Sequence, residues 1–308
     1  MDEQSFTSVE KIIREIGLEH DEEYVYFYRG HSNKEYDLIP SIYRKDEWIS
    51  NEDKFVRELI LRCPEDFSNY KTAFEKLVKM QHYDLPTRLF DVTENPLVAL
   101  YFACMTNPKK DGELLIFKIP RSEIKYFDSD TVSVLSNIAW MDINFKTYTG
   151  IRPPISNDSS SRNRQFNSEN NVHATKLLHS VNNEKPHFKR NIDIQHIESV
   201  VCVKPMMDNQ RLIRQDGAFF LFGMHHDKLG NASVPNYWRF YPKDSRIIIK
   251  SRSKQKVLKL LSMMGINKAK LFPEVDQVSW FIKEGLGWGK SEPQVENKRY
   301  AKAPKFLR

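Results

Sequence analysis

The chain has 308 residues, of which 40% are hydrophobic, so it can bury a substantial core and is not expected to be disordered. It shows neither an apolar signal-peptide core nor a run of about 18 uncharged apolar residues, which argues against a secretory leader and a membrane span and predicts a cytoplasmic protein. The formal net charge of +6 favours anionic partners such as nucleotides, nucleic acid or a phosphate-bearing cofactor, without choosing among them.

The first predicted elements are a helix and a strand. Within residues 1–20, four apolar residues follow helical spacing up to a stop at Gly17: Val9, Ile12, Ile13 and Ile16. Residues 23–29 then alternate as a strand. Two helices are predicted before His82, and another begins at Asn95, where Pro96 occupies the first helical position. Later strands are predicted at "ELLIFKIP", "SVVCVKP", "AFFLFG" and "RIIIK", and a last helix at 275–283.

This order of elements predicts a single α+β domain over residues 21–284, between an N-terminal helical extension at 1–20 and a basic tail at 285–308. Residues 126–196 include the polar tract "PPISNDSSSRNRQFNSENN", which is poor in apolar residues. That composition predicts a mobile or weakly packed insertion.

Cysteines and histidines show no pattern of a metal site. Cys63, Cys104 and Cys202 lie far apart among apolar neighbours, which is typical of reduced core residues and not of a disulfide framework. The nine histidines include no His-Glu-x-x-His spacing. We therefore expect no metal. His82 is the best single histidine candidate for a site, and its alternative role is that of a helix C-terminal residue favoured by the helix dipole.

Arg29 ends the first predicted strand, on the strand's apolar face. Its guanidinium cannot be neutralised at ordinary pH, so burial requires a carboxylate, backbone carbonyls or a bound anion. Gly30 directly after it would allow a ligand close to the backbone. The alternative is an arginine that reaches solvent or pairs with an internal acid such as Asp37 or Asp91.

Two later stretches are also candidates for a site. In "LPTRLFDVTENPLVALYFA", Asp91 and Thr93 would point the same way at a strand-to-helix junction, where phosphates commonly bind. The alternative makes Thr93 a cap and Asp91 the partner of Arg88 or Arg29. In "NQRLIRQDGAFFLFG", Gln215 lies at the mouth of an apolar strand, and the alternative there is an ordinary polar turn.

Together these stretches resemble the FRG domain, a family named for an aromatic-Arg-Gly motif near its start. The motif here is "YRG" at 28–30, and the similarity continues through 81–103 and 211–223 to 260–284. More distantly, the order of the pieces is similar to the ADP-ribosyltransferase fold, which implies a split β-sheet core with peripheral helices. Arg29, Thr93 and Gln215 match that fold's arginine, its serine or threonine, and its glutamate.

The resemblance implies an enzyme that binds NAD and either transfers ADP-ribose or hydrolyses the cofactor. Arg29, Thr93 and Gln215 would be its catalytic residues. The residues implied for NAD binding are Tyr28, Gly30, His82, Arg88, Asp91 and Tyr101, with the aromatic rings available to stack on nicotinamide. Gln215 carries no charge where the fold has a glutamate, and the acids considered as substitutes are Asp216, Asp91 and Glu94.

FRG-like proteins resemble components of bacterial toxin and phage-defence systems, so the resemblance also implies a macromolecular acceptor, protein or nucleic acid, and an inhibitor or antitoxin partner. The alternative function is a non-catalytic module that binds a nucleotide in the same place. Nucleic acid could instead bind at 243–259, where seven basic residues accompany one acid, unless that run is a solvated edge.

Overall fold

The computed structural model describes residues 2–6, 9–16, 22–148 and 158–274. The strands are β1 (Asp2–Phe6), β2 (Tyr24–His31), β3 (Leu89–Thr93), β4 (Gly112–Pro120), β5 (Lys125–Tyr126), β6 (Val200–Lys204), β7 (Gly217–Phe222), β8 (Arg239–Phe240) and β9 (Ser245–Ile249). The α-helices are α1 (Val9–Ile16), α2 (Asp46–Ser50), α3 (Glu52–Arg62), α4 (Pro64–Phe67), α5 (Ala73–His82), α6 (Pro96–Cys104), α7 (Asp130–Asn137), α8 (Ser159–Phe166), α9 (Val172–Asn182), α10 (Ile194–Ile197), α11 (Gln210–Gln215), α12 (Lys254–Met263) and α13 (Lys268–Leu271). The predicted helix at 275–283 and the tail at 285–308 lie outside the described residues.

All nine strands belong to one curled, mixed sheet in the order β1-β9-β4-β2-β3-β7-β6-β5, with β8 paired to β4. The β1–β9 and β5–β6 pairs are parallel, and the other pairs are antiparallel. β2 pairs with β4 from Tyr24 to His31, but it meets β3 at the single pair Tyr28–Thr93. The predicted α+β class is confirmed, and the sheet is nearly divided between β2 and β3.

Alternating side chains of β2 enter two different apolar clusters, because successive residues of a strand point to opposite faces. Phe27 packs in a concave cluster with Phe90, Phe117 and Phe220. Tyr28 faces the other side, where α6 and α12 cover the sheet. Helix α5 and the helices from α7 to α10 cover the remaining part of the sheet around β3, β6 and β7. In the described part of the chain, no helix combines the length and the apolar character that crossing a membrane requires.

α6 lies directly on β2 and β4 because two glycines make room for it. A Cβ atom on Gly30 would come within 1.9 Å of the carbonyl oxygen of Ala99 and 2.4 Å of the backbone nitrogen of Ala103. A Cβ on Gly112 would lie 2.5 Å from the carbonyl oxygen of Ala103. As predicted, the helix begins after Asn95, whose side chain accepts from two backbone N–H groups of the first turn.

The prediction of a mobile or weakly packed insertion at 126–196 is wrong for its described residues. α7, α8 and α9 bury apolar side chains in the core beside the sheet: Val132, Leu135, Phe166, Leu177 and Val181. The polar residues of this region cap and connect the helices, as Asp158 and Asn171 do at two helix N-termini. Asn163 also donates to Asp193, and Asn167 donates to the carbonyl oxygen of Ile192. Polar composition here reflects capping and does not reflect a lack of packing.

Candidate functional site

A cavity of about 140 Å³ opens where β2 and β3 separate. The residues that line it are Tyr28, Arg29, Gly30, Asp91, Val92, Thr93, Ala99, Phe102, Arg211 and Gln215. The three predicted catalytic residues, Arg29, Thr93 and Gln215, therefore come together from distant parts of the sequence. Three of the residues predicted for NAD binding also line the cavity, namely Tyr28, Gly30 and Asp91.

Arg29 bonds across the gap between the two strands. Its Nη1 donates to the backbone oxygen of Asp91 at 2.8 Å and to the carboxylate oxygen Oδ2 of Asp91 at 3.3 Å. Its Cζ lies 4.6 Å from the centroid of the Phe90 ring. Burial lowers the pKa of Arg29 below its ordinary value, and the charge of Asp91 opposes that shift. The Nε of Arg29 is buried without a hydrogen-bond partner, so Asp91 satisfies only part of the guanidinium.

Three acids were considered as substitutes for the glutamate of the related fold, and Asp91 is the one that lines the cavity. Its Oδ2 also accepts from Nε2 of Gln81 at 3.0 Å, and the Oε1 of Gln81 in turn accepts from the hydroxyl of Thr87. Glu94 instead pairs with Lys204, and Asp216 accepts from the side chain of Asn95. The Asp91 side chain is 47% exposed, so solvent or a ligand can reach it.

Thr93 uses its hydroxyl inside the protein. Oγ1 donates to the backbone oxygen of Gln215 at 2.6 Å and accepts from the backbone N–H of Asn95 at 3.0 Å. These two bonds tie the end of β3 to the start of α6 and to the end of α11. The capping role considered for Thr93 is thus present in the structure, alongside its position in the cavity wall.

Gln215 is the last residue of helix α11, and it lies at the mouth of β7, as predicted, two residues before Gly217 opens that strand. Asp216 follows it in the left-handed conformation, with φ 46°, and the chain then enters β7. Nε2 of Gln215 donates to the backbone oxygen of Leu271 at 2.9 Å, which fixes the amide and leaves its oxygen as an acceptor.

Arg211 is a cavity residue that the sequence reasoning did not assign. It lies one helical turn before Gln215, so the two side chains share a face of α11. Its Cζ lies 4.8 Å from the Phe272 ring centroid, and Nη1 lies 3.7 Å from Oε1 of Glu274. The i, i+4 spacing was visible in the sequence, but it has this meaning only once the segment is known to be helical.

Arg88 contradicts the prediction that it lies at the cavity, because it is fully buried elsewhere. Its Nε and Nη2 donate to the carboxylate of Glu52 at 2.9 and 2.5 Å, and Nη1 donates to the backbone oxygen of Phe222. Lys228 pairs with the same carboxylate at 2.9 Å. A buried carboxylate between two cations explains why this arginine is held inside.

His82 and Tyr101 lie behind the cavity wall and do not line it. The Nδ1 of His82 lies 2.9 Å from the amide nitrogen of Asn209, while the backbone oxygen of His82 accepts from Arg211. Burial, reinforced by the charge of Arg211, lowers the pKa of His82 to about 4. Burial raises the pKa of Tyr101 to about 12, and the aromatic residues that line the cavity are Tyr28 and Phe102.

Gly30 borders the cavity, but the structure gives a different reason for the glycine than the one predicted. The backbone of α6 occupies the space in which a Cβ of Gly30 would lie, and this contact accounts for the glycine without a ligand. Tyr28 beside it is almost fully buried, and burial raises the pKa of its hydroxyl.

Residues 24–112 match the family model of the FRG domain. The match begins at the start of β2 and ends at the first residue of β4, so it contains Arg29, Asp91, Thr93 and the helix α6. Arg211 and Gln215 are contributed to the cavity from outside the matched residues. No curated protein and no solved structure matches the chain.

Proposed function

We propose that this chain binds NAD at the cavity and cleaves the bond between nicotinamide and ribose. Nicotinamide would leave with the bonding electron pair, and ADP-ribose would pass to water or to a nucleophile on a macromolecular acceptor. The observation that carries the proposal is the convergence of Arg29, Thr93 and Gln215 on one cavity. Their order along the chain, and the near division of the sheet at Tyr28–Thr93, support the distant similarity to ADP-ribosyltransferases.

The two arginines would hold the anionic part of the ligand. Arg29 keeps a donor free of protein partners, and Arg211 faces the same cavity from α11. A guanidinium binds phosphate oxygens or ribose hydroxyls through several N–H groups in one plane, which fixes the orientation of the ligand as well as its charge.

Asp91 would take the role that a glutamate has in the related fold. Cleavage develops positive charge on the ribose, and a nearby carboxylate stabilises that charge. The bonds from Arg29 and Gln81 hold Asp91 in place, and its remaining exposure leaves room for a sugar. The amide oxygen of Gln215 would accept a hydrogen bond from a ribose hydroxyl, which requires no charge.

Two observations favour a second candidate, a non-catalytic module that binds a nucleotide in the same cavity. The hydroxyl of Thr93 is already bonded on both sides, and Gln215 has no carboxylate. Nucleic-acid binding at 243–259 is less well supported, because two of the side chains considered for it are engaged inside the protein. Lys254 is buried and donates to three backbone oxygens, and Lys250 pairs with Asp111.

A role as a toxin or phage-defence effector, with an inhibitor protein as partner, belongs to the same proposal. Its support is the resemblance of the FRG domain to components of such systems.

Purified protein incubated with NAD tests the reaction. We expect release of nicotinamide, measured by chromatography, and transfer of label from adenine-labelled NAD to water or to an added acceptor. Asp91→Asn is expected to lower the rate by roughly 10²–10³, the effect of losing one stabilising group. The exposed substitution Arg252→Lys is the control and should leave the rate unchanged. Intact NAD across a panel of acceptors would overturn the catalytic proposal and favour the binding module.

A further inference from the structure

The concave face of the sheet carries a group of cations, of which the proposed reaction uses only Arg29. Arg239 on β8 is the pairing partner of Phe117, which is itself the pairing partner of Phe27 on β2. Directly paired residues share a face of a sheet, so Arg239 lies on the same face as Phe27, Arg29 and His31. We name Arg29, His31 and Arg239, together with Arg44, whose charge acts on Arg29 and His31, the concave cation cluster.

Two arginines of the concave cation cluster lie over a row of aromatic rings. Arg29 lies over Phe90 at 4.6 Å, and Arg239 lies over Phe117 at 5.7 Å. Both rings contact Phe220, with centroid distances of 6.3 and 4.8 Å. A ring contacts the flat face of a guanidinium, so this arrangement holds the two cations without using the N–H groups at their edges.

Three side-chain nitrogens of this cluster are buried without a partner: Nε of Arg29, Nδ1 of His31 and Nε of Arg239. They make up half of the six such side-chain atoms in the described part of the chain. His31 is only 4% exposed, so water does not compensate it freely. Buried donors are nearly always bonded in folded proteins, and a concentration of unbonded donors indicates the place of a ligand that accepts hydrogen bonds.

The charges in this region favour an anion as that ligand. Burial, reinforced by the nearby charges of Arg29, Arg239 and Arg44, lowers the pKa of His31 to about 3. The carboxylates of Glu113, which is paired with His31, and of Asp91 already have cations, as does Glu94, whose partner Lys204 lies over the Phe27 ring. Glu113 accepts from Arg246 at 2.8 and 2.9 Å, and Asp91 accepts from Arg29. Arg44 and Arg239 are thus left to attract an anion from solvent.

We propose that the concave cation cluster is a binding subsite for a phosphate-bearing anion, held by the guanidinium groups of Arg29, Arg44 and Arg239 next to His31. The subsite does not depend on cleavage of NAD. Its phosphate could belong to a nucleotide whose sugar enters the cavity next to Arg29, or to a free phosphate or pyrophosphate ion. Both sources present a phosphate group to the same side chains, and competition between pyrophosphate and a nucleotide distinguishes them.

Inorganic pyrophosphate is the probe that tests the subsite. Titration into the full chain, followed by calorimetry, is expected to show binding that Arg44→Gln and Arg239→Gln each weaken roughly tenfold or more, because each removes a charged hydrogen bond. Arg252→Gln, at an exposed position on another element, is the matched control and should bind as the unchanged protein does. The His31 imidazole signals should also move in NMR spectra when pyrophosphate is added.

Pyrophosphate binding that is absent, or that both variants leave unaltered, would overturn the subsite. Arg44 is exposed, so its variant tests the proposal even where Arg239→Gln disturbs folding. Displacement of pyrophosphate by ADP-ribose would identify a nucleotide as the source of the phosphate, and simultaneous binding would identify a free anion. Pyrophosphate binding in a protein that leaves NAD intact would sustain the subsite while overturning the proposed reaction.

Discussion

Nη1 of Arg29 donates to the backbone oxygen of Asp91 at 2.8 Å, next to the point where the pairing of β2 with β3 ends. The arginine therefore supplies a hydrogen bond to an acceptor in the gap between the strands. The cavity lies in the same gap, so the Arg29 side chain both bridges the two strands and faces the candidate ligand. Structural and functional roles of Arg29 are not alternatives here, because the guanidinium has more donors than Asp91 uses.

Gly30→Ala is expected to destabilise the protein by about 3 kcal/mol or more, because the added Cβ would meet backbone atoms of α6 that cannot move independently. Gly265→Asn is the matched control. Gly265 has φ 82° and open space around it, and asparagine tolerates that conformation, so its loss should be below about 1 kcal/mol. Urea unfolding measures both. Equal losses in the two variants would contradict the close packing of α6 on β2.

Glu52→Gln is expected to cost about 3–5 kcal/mol of stability, because it leaves Arg88 and Lys228 buried without a counter-charge. Burial opposes ionisation of Glu52, but the two cations outweigh it and hold the pKa of Glu52 below its ordinary value of 4.5. Its contribution is therefore complete above pH 4.5 and is lost as the pH falls toward the folded-state pKa. Unfolding of Glu52→Gln should depend less on pH below 4.5. A small loss at pH 7 would contradict a buried triad.

The buried histidines predict a second pH dependence. The pKa of His82 falls from 6.5 to about 4 on folding, so the unfolded chain binds more protons between these values. Stability is then full above pH 6.5 and decreases as the pH falls from 6.5 toward 4. His82→Gln should reduce the loss between pH 7 and 5 by about 1–2 kcal/mol. The exposed His187→Gln serves as control, and an unchanged slope in His82→Gln would show that His82 is not buried as described.

Gln215→Glu separates the catalytic proposal from the binding module. A second carboxylate at the cavity should stabilise positive charge on the ribose, so the rate of nicotinamide release should rise by about tenfold or more. Gln215→Ala, which removes the bond to Leu271 and the acceptor together, should lower the rate. Nicotinamide release under saturating NAD measures both variants. Binding of NAD to Gln215→Glu with no turnover would favour the non-catalytic module.

Much of the cavity could be predicted from the sequence because its residues lie in short segments with strong local signals. Arg29 lies in the strand β2, and Asn95-Pro96 marks the start of α6. Once both elements are packed on the sheet, the polar residues between them and the next strand can occupy only a few positions. The similarity of the order of these segments to the ADP-ribosyltransferase fold predicted that Arg29, Thr93 and Gln215 lie together.

Other features depended on contacts that no local pattern contains. Arg88 has its carboxylate 36 residues away in Glu52, so the sequence could not tell a buried pair from a ligand contact. α11 spans only six residues and lacks a periodic apolar face, so the sequence placed Gln215 at the mouth of a strand but did not predict the helix that ends there. The capping role of Asp158 and Asn171 likewise became visible only when α8 and α9 were packed against the core.

The most direct test of the central claim is the thermal stability of the full chain titrated with NAD. Binding at the cavity should raise the midpoint of unfolding with increasing NAD in the unchanged protein and in the control Arg252→Lys. Arg29→Lys keeps the charge but loses the planar fork, so its midpoint should respond weakly or not at all. A midpoint that NAD leaves unchanged in the parent protein, or raises equally in Arg29→Lys, would contradict NAD binding at this cavity.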